Sequence, residues 1–186
     1  MSTSTRFASL AAAFGARVHA VPADRWDAPA PCEGWVARDV VRHLVEWVPG
    51  FFAGSAVRIP PLPSVDDDPV GAWDGLAAAV QAALDDPEVA ASEVTSRAGT
   101  HPVETAFAMF VLPDVLVHTW DLARAAGLDD RLDQDEVRGM LGGFGSVPEE
   151  VLVSSGQFGA RVAVADDADD QTRLIAMTGR DPDWKA

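Results

Sequence analysis

Asp114 and His118 stand four residues apart in the stretch DVLVHTWDLARAAG, residues 114–127. On a helix that spacing puts both side chains on one face, one turn above the other. A second histidine, His43, lies on the apolar stripe of an upstream segment with Val40, Leu44, Trp47 and Phe51. Two imidazoles and a carboxylate brought together make a three-ligand metal site with open positions for water or substrate. Such a site polarises a bound ligand or lowers the pKa of a bound water or thiol. A buried carboxylate needs a partner, however, and an Asp–His hydrogen bond would supply one without an ion. The spacing therefore leaves a metal site and a metal-free polar pair both open.

Several neighbours bear on the choice. Asp121, three residues after His118, could accept a hydrogen bond from an imidazole and orient it, or pair with Arg124 or Arg42. Trp47 and Trp120 read as core packing ahead of pocket lining, and Trp35 as a structural staple at the start of the second helix. Cys32 lies close enough to that helix for its positive end to favour a thiolate. With no neighbouring base in view, it reads as a buried structural cysteine. His19 and His101 fall at helix ends and read as exposed and inert. The chain has no phosphate-cradling glycine loop, no GxSxG and no CxxC pair, so nucleotide-dependent and serine-hydrolase chemistry lack support. No catalytic residue is assignable.

The elements that must position these groups are helices. Phe7, Leu10, Phe14 and Val18 mark one face of a helix over residues 3–21. The proline-rich segment 22–35 reads as an ordered loop, and a second helix runs from about 37 to 53. Four prolines in 58–69 forbid a helix there and suit a long crossover. Trp73, Leu76, Val80 and Leu84 mark a third helix near 70–85, with Asp68 before Pro69 as its cap. A fourth helix is expected to begin at His101 or Pro102 and to end at Gly127, with Pro113 kinking or breaking it. Beyond it, Asp133 and Glu136 form a capping pattern, residues 161–165 could hold one short strand, and a last helix spans 169–178. The reading is an all-α four-helix bundle, about residues 1–127, with a short C-terminal helical extension, about 128–186, in a single domain.

Bulk properties narrow the partners. The 186 residues are 48% hydrophobic and carry a formal net charge of -15, which disfavours nucleic acid and anionic membrane surfaces. A single cysteine allows no internal disulfide and suits a reducing, cytoplasmic home. The first twenty residues do not read as a signal peptide, and no apolar run reads as a membrane span.

The segments RFASLAAAFGARVHAVPADRWDAPAPCEGWVARDVVRHLVEW and PDVLVHTWDLARAAG resemble the mycothiol-dependent maleylpyruvate isomerase N-terminal domain family. The resemblance is closest to a branch of small actinobacterial metal-binding proteins within the DinB-like superfamily. It extends through the last helix, DADDQTRLIAMTGRDP, and its most specific motifs are PCEGW followed by RDVVRHL, and VHTWDLARAAG. It implies a DinB-like bundle holding a divalent metal, zinc first and nickel second. A histidine of helix two and an acid-xxx-His pair of helix four would hold it. His43, Asp114 and His118 match those positions, with Asp114 where the isomerase carries glutamate. Val36 stands where the family often has a capping threonine. The isomerase also has a separate C-terminal domain for which the residues after the bundle are too few. The resemblance thus implies a metal-dependent, mycothiol-type thiol transferase or isomerase acting on a small-molecule electrophile, with maleylpyruvate itself in doubt. A metal- or ligand-binding or stress-associated protein without turnover is the alternative, and a homodimer is compatible with the superfamily.

Overall fold

The computed structural model describes residues 1–96, 99–145, 147–154, 156 and 158–186. Helix α1, Thr3–Ala20, is capped by Ser2, whose hydroxyl accepts from the Thr5 N–H at 3.2 Å, and buries Phe7, Leu10, Phe14 and Val18. Helix α2, Ala37–Phe51, buries Val40, Val41, Leu44, Val45 and Val48. Val36 has no side-chain acceptor to offer at its start. Asp39 instead accepts from the Val36 N–H at 3.0 Å, one half of a reciprocal cap. Helix α3, Pro69–Asp85, begins as expected, with Asp68 accepting from the Gly71 N–H at 2.8 Å and proline in the first turn.

A short helix α4, Pro87–Ala91, leads into an antiparallel hairpin of β1, Glu93–Ser96, and β2, Gly99–Pro102, with Val94 opposite His101. This corrects the expected helix start at His101 or Pro102. The residue before a proline is pushed out of helical space, and Pro102 itself is extended at ψ 142°. His101 therefore belongs to β2, and the helix begins one residue beyond Pro102.

Helix α5, Val103–Ala126, then runs without interruption. Pro113 does not break it, because the preceding turn, Phe107–Val111, is a π-turn in which the Leu112 N–H donates to the Phe107 carbonyl. A proline ring clashes with the turn before it, and a wider turn holding one extra residue relieves the clash. Gly127, at φ 72°, ends the helix in the left-handed region. At 24 residues with mean hydropathy 1.3 in its apolar window, α5 is long and apolar enough to cross a bilayer, contrary to the reading of the sequence. That window is mostly buried in the bundle, as befits a core helix.

Around the bundle, α5 packs against α1 and α2, and α3 packs against the same two from the other side. The α2–α3 crossover, residues 52–68, makes this order possible. Phe52 stacks on Phe107 at 4.1 Å and Phe14 meets Trp73 at 4.4 Å inside one apolar core.

Among the described residues three further helices follow: α6, Gln134–Phe144, α7, Glu149–Ser154, and α8, Asp170–Met177. Asp133 caps α6 by accepting from the Asp135 and Glu136 N–H groups at 2.9 and 3.0 Å. Glu136 does not reach back to complete the cap; it binds Arg6 of α1 through two bonds of 2.8 and 2.6 Å. No strand forms at 161–165. The segment is extended, but its Val162 N–H donates to the Ala176 carbonyl at the end of α8, and no strand edge adjoins it among the described residues. The architecture is the expected all-α, DinB-like four-helix bundle with a helical extension.

Candidate metal centre

Because α2 and α5 are neighbours, His43 comes to face Asp114 and His118. His43 Nε2 lies 3.1 Å from one Asp114 oxygen, and His118 Nε2 lies 3.4 Å from the other. The imidazole rings meet edge to face at 4.8 Å. One donor atom from each of the three residues falls within 4.8 Å of the other two. Asp114 and His43 are half-buried, whereas His118 is buried. The set is therefore open on the Asp114 side and closed behind His118. Two imidazole nitrogens and a carboxylate with room beside them have the donor chemistry of a divalent-ion site.

Behind His118, its Nδ1 lies 2.8 Å from an oxygen of Asp121, a residue with no exposed surface. Asp121 thus lies within hydrogen-bond reach of the imidazole, and its salt bridge is to neither Arg124 nor Arg42. Arg180, just past α8, donates to it from Nε at 2.8 and 3.0 Å and from Nη2 at 2.8 Å. Cys32 closes the remaining side, with Sγ 3.5 Å from Asp121 and 3.4 Å from Arg180 Nη2.

Electrostatics follow this layout. Burial alone would raise the Asp114 carboxyl, but the two histidines pull it well below the usual carboxylate range. Burial likewise opposes the charged form of His118, yet Asp114, with Asp121 behind, pushes it up to about 9. Asp121 is held low against burial, chiefly by Arg180 and His118. The Cys32 thiol is pushed up to about 12 by burial and by Asp121, with Arg180 opposing too weakly to reverse it. At neutral pH Cys32 is a protonated thiol, and the residue is half-buried, where the sequence suggested a buried one.

Two tryptophans depart from expectation. Trp35 stacks on His118 at 5.8 Å with an interplanar angle of 18° and lies 5.2 Å from His43, so it walls the site. A tight turn, in which the Trp35 N–H donates to the Cys32 carbonyl and Gly34 sits at φ 78°, brings it there. Trp47, expected in the core, is half-buried and donates its indole N–H to Asp114 at 2.8 Å. Trp120 is core, as expected, and lies beneath the Arg124 guanidinium at 5.0 Å. His19 pairs with Asp74 on the surface at 3.0 Å, and half-buried His101 lies in the hairpin outside the centre. Arg180 escaped the sequence reading: it is 59 residues from Asp121, and no periodicity links them.

A cleft beside Asp114 is lined by Met109, Phe110 and Val117 of α5, by Met140 and Phe144 of α6, and by Phe158 and Arg180. With a volume of about 30 Å³ it has room for a water-sized group, and it sets apolar side chains beside the polar groups of Asp114 and Arg180.

Comparison with known proteins adds three findings. The family model for the mycothiol maleylpyruvate isomerase N-terminal domain matches residues 7–123. Two uncharacterised proteins of Mycobacterium tuberculosis, from strains H37Rv and CDC 1551, are each 32% identical over 136 residues. The match covers 66% of this chain and 66% of each relative. No solved structure gives a significant match.

Proposed function

The chain belongs to the mycothiol maleylpyruvate isomerase N-terminal domain family, and from that premise we propose that it is a divalent-metal protein that transfers or isomerises through a low-molecular-weight thiol. His43, Asp114 and His118 hold the ion, zinc ahead of nickel, and mycothiol or a similar thiol is the cofactor. The observation that carries this reading is the convergence of one donor from each of these residues within 4.8 Å, on the side of His118 away from Asp121. The chemistry such an ion supplies when bound is Lewis-acid activation of a coordinated thiol or water.

The chain's own residues do the rest. Asp121 takes the Nδ1–H of His118, leaving Nε2 to face Asp114 as a donor. Trp35 packs against both imidazoles and limits their rotation. Met109, Phe110, Met140 and Phe144 form the apolar wall of the small cleft beside Asp114, at which an electrophile would approach. The reaction needs only small molecules and suits a cytoplasmic protein.

A second reading, a metal- or ligand-binding protein without turnover, draws on the composition of the same cleft. Apart from Arg180, the segment beyond the bundle lends it only apolar side chains.

Metal analysis of untagged protein tests the proposal. Wild type is expected to hold about one equivalent of divalent metal, and His43→Ala and Asp114→Ala to hold far less. Unchanged metal content in both variants, or none in the wild type, overturns it. Thiol-dependent conjugation of chloro-dinitrobenzene, abolished in His118→Ala, separates turnover from binding alone.

A further inference from the structure

Asp121 is fully buried, and the His118 N–H by itself satisfies only one of its oxygens. A carboxylate in that position needs a second, charged partner to remain ionised and fixed. Arg124, one turn along the same helix, is committed elsewhere: to Asp130 at 2.7 Å and to the carbonyls of Pro182 and Trp184 at 2.9 and 3.3 Å. The partner comes instead from Arg180. Its Nε donates to one Asp121 oxygen and its Nη2 to the other, each at 2.8 Å. A planar guanidinium offers these donors in a rigid fork, so it fixes the carboxylate's rotation as well as its charge.

The delivery of Arg180 is equally constrained. Gly179 adopts φ 85° and lies against Gly159 so closely that a Cβ on it would meet the Gly159 Cα at 2.5 Å. Gly159 donates its N–H to the Thr178 carbonyl at 3.1 Å. With Arg124 gripping the tail at Pro182 and Trp184, the backbone is pinned on both sides of Arg180.

We infer that Arg180 is a positioning residue of the metal centre: it locks Asp121, and through Asp121 it sets the orientation of His118. The metal site of the bundle is thereby completed from a tail that lies beyond the family-matched residues 7–123. This rests on His118 being a metal ligand, as proposed above. Without the fork, Asp121 is free to rotate, and His118 Nε2 no longer keeps a fixed bearing toward Asp114 and His43.

The test titrates Co²⁺ into full-length wild type, Arg180→Ala and Arg180→Gln. Affinity is read by chelator competition, geometry by the visible absorption of the bound ion, and folding by circular dichroism. Loss of an outer hydrogen-bond partner of a metal-ligating histidine weakens binding roughly 10- to 100-fold. We expect that weakening in Arg180→Ala, with an altered Co²⁺ spectrum and unchanged helicity. If Arg180→Ala does not fold, Arg180→Gln decides, since it keeps one amide donor but not the fork. At least roughly tenfold weaker binding supports the inference. Wild-type affinity and spectrum in a folded variant overturn it while leaving the metal assignment standing. A wild type that binds no Co²⁺ overturns both.

Discussion

Helix α5 carries two aspartates on either side of one histidine, and they lead opposite lives. Asp114 is half-buried, approached by His43, His118 and the Trp47 indole, and borders a small cleft. Asp121, two turns along the helix from it, is sealed, and its carboxylate is held by His118, Arg180 and Cys32. One carboxylate is placed to share its charge with something that enters; the other is placed to hold a ring still. Burial makes the difference. The sealed aspartate has its oxygens taken by protein donors, and the open one keeps a side toward the cleft.

The sharpest way to break this contrast is Asp121→Ala. It strands the buried Arg180 charge and the His118 N–H, and losing one partner of a buried pair costs about 3–5 kcal/mol. Urea denaturation of metal-free protein should show that loss, and a change under about 1 kcal/mol would mean that the sealed side is not structural.

Acidity sharpens the contrast from the other direction and with a smaller effect. Burial disfavours a charged His118, but the flanking aspartates overcome it and raise it from 6.5 to about 9. A raised folded pKa means that the stabilisation is fully present below the unfolded value and is lost as pH rises through the folded one. Chelator-treated protein should therefore be more stable to urea at about pH 6 than at about pH 10, the loss running from about 6.5 to about 9 and absent in His118→Gln. A flat profile would contradict the ion pairing on both sides of the ring. The smallest effect belongs to Trp47→Phe, which removes one hydrogen bond from the half-exposed side. Urea midpoints should register about 1 kcal/mol, and metal content should not change.

The open half of the centre was more legible in the sequence than the sealed half, for a physical reason. His43, Asp114 and His118 occupy positions on two apolar stripes, and helical spacing announces such stripes. The hydrogen bond from His118 to Asp121 was also within reach, being a contact of one turn. Arg180 and Trp35 come from a tail and a loop, where no period relates residues that meet in space. The hairpin was hidden because Val94 is its one buried residue among the described positions of the two strands, too little to show alternation. Conversely, the Val-Ala alternation at 161–165 imitates a strand; its backbone is extended, but its Val162 N–H goes to the end of α8 and its Arg161 N–H to the Glu149 carboxylate.

The π-turn at Phe107–Val111 has a last consequence, one of phase. Each residue of an α-helix turns the chain by about 100°, so an extra residue wound in α geometry would rotate everything downstream relative to everything upstream, and the wider π-turn takes that residue up instead. Phe107 points into the core against Phe52 on one side of the turn, and Asp114 points at His43 on the other. Both alignments hold at once because the wide turn takes up a residue that a regular turn could not. Tightening 107–111 to regular α geometry without removing a residue would leave His43, Asp114 and His118 in the sequence and swing the α5 pair about 100° away from His43. The geometry of the site thus depends on how tightly the helix is wound upstream of it, as well as on the kinds of residue.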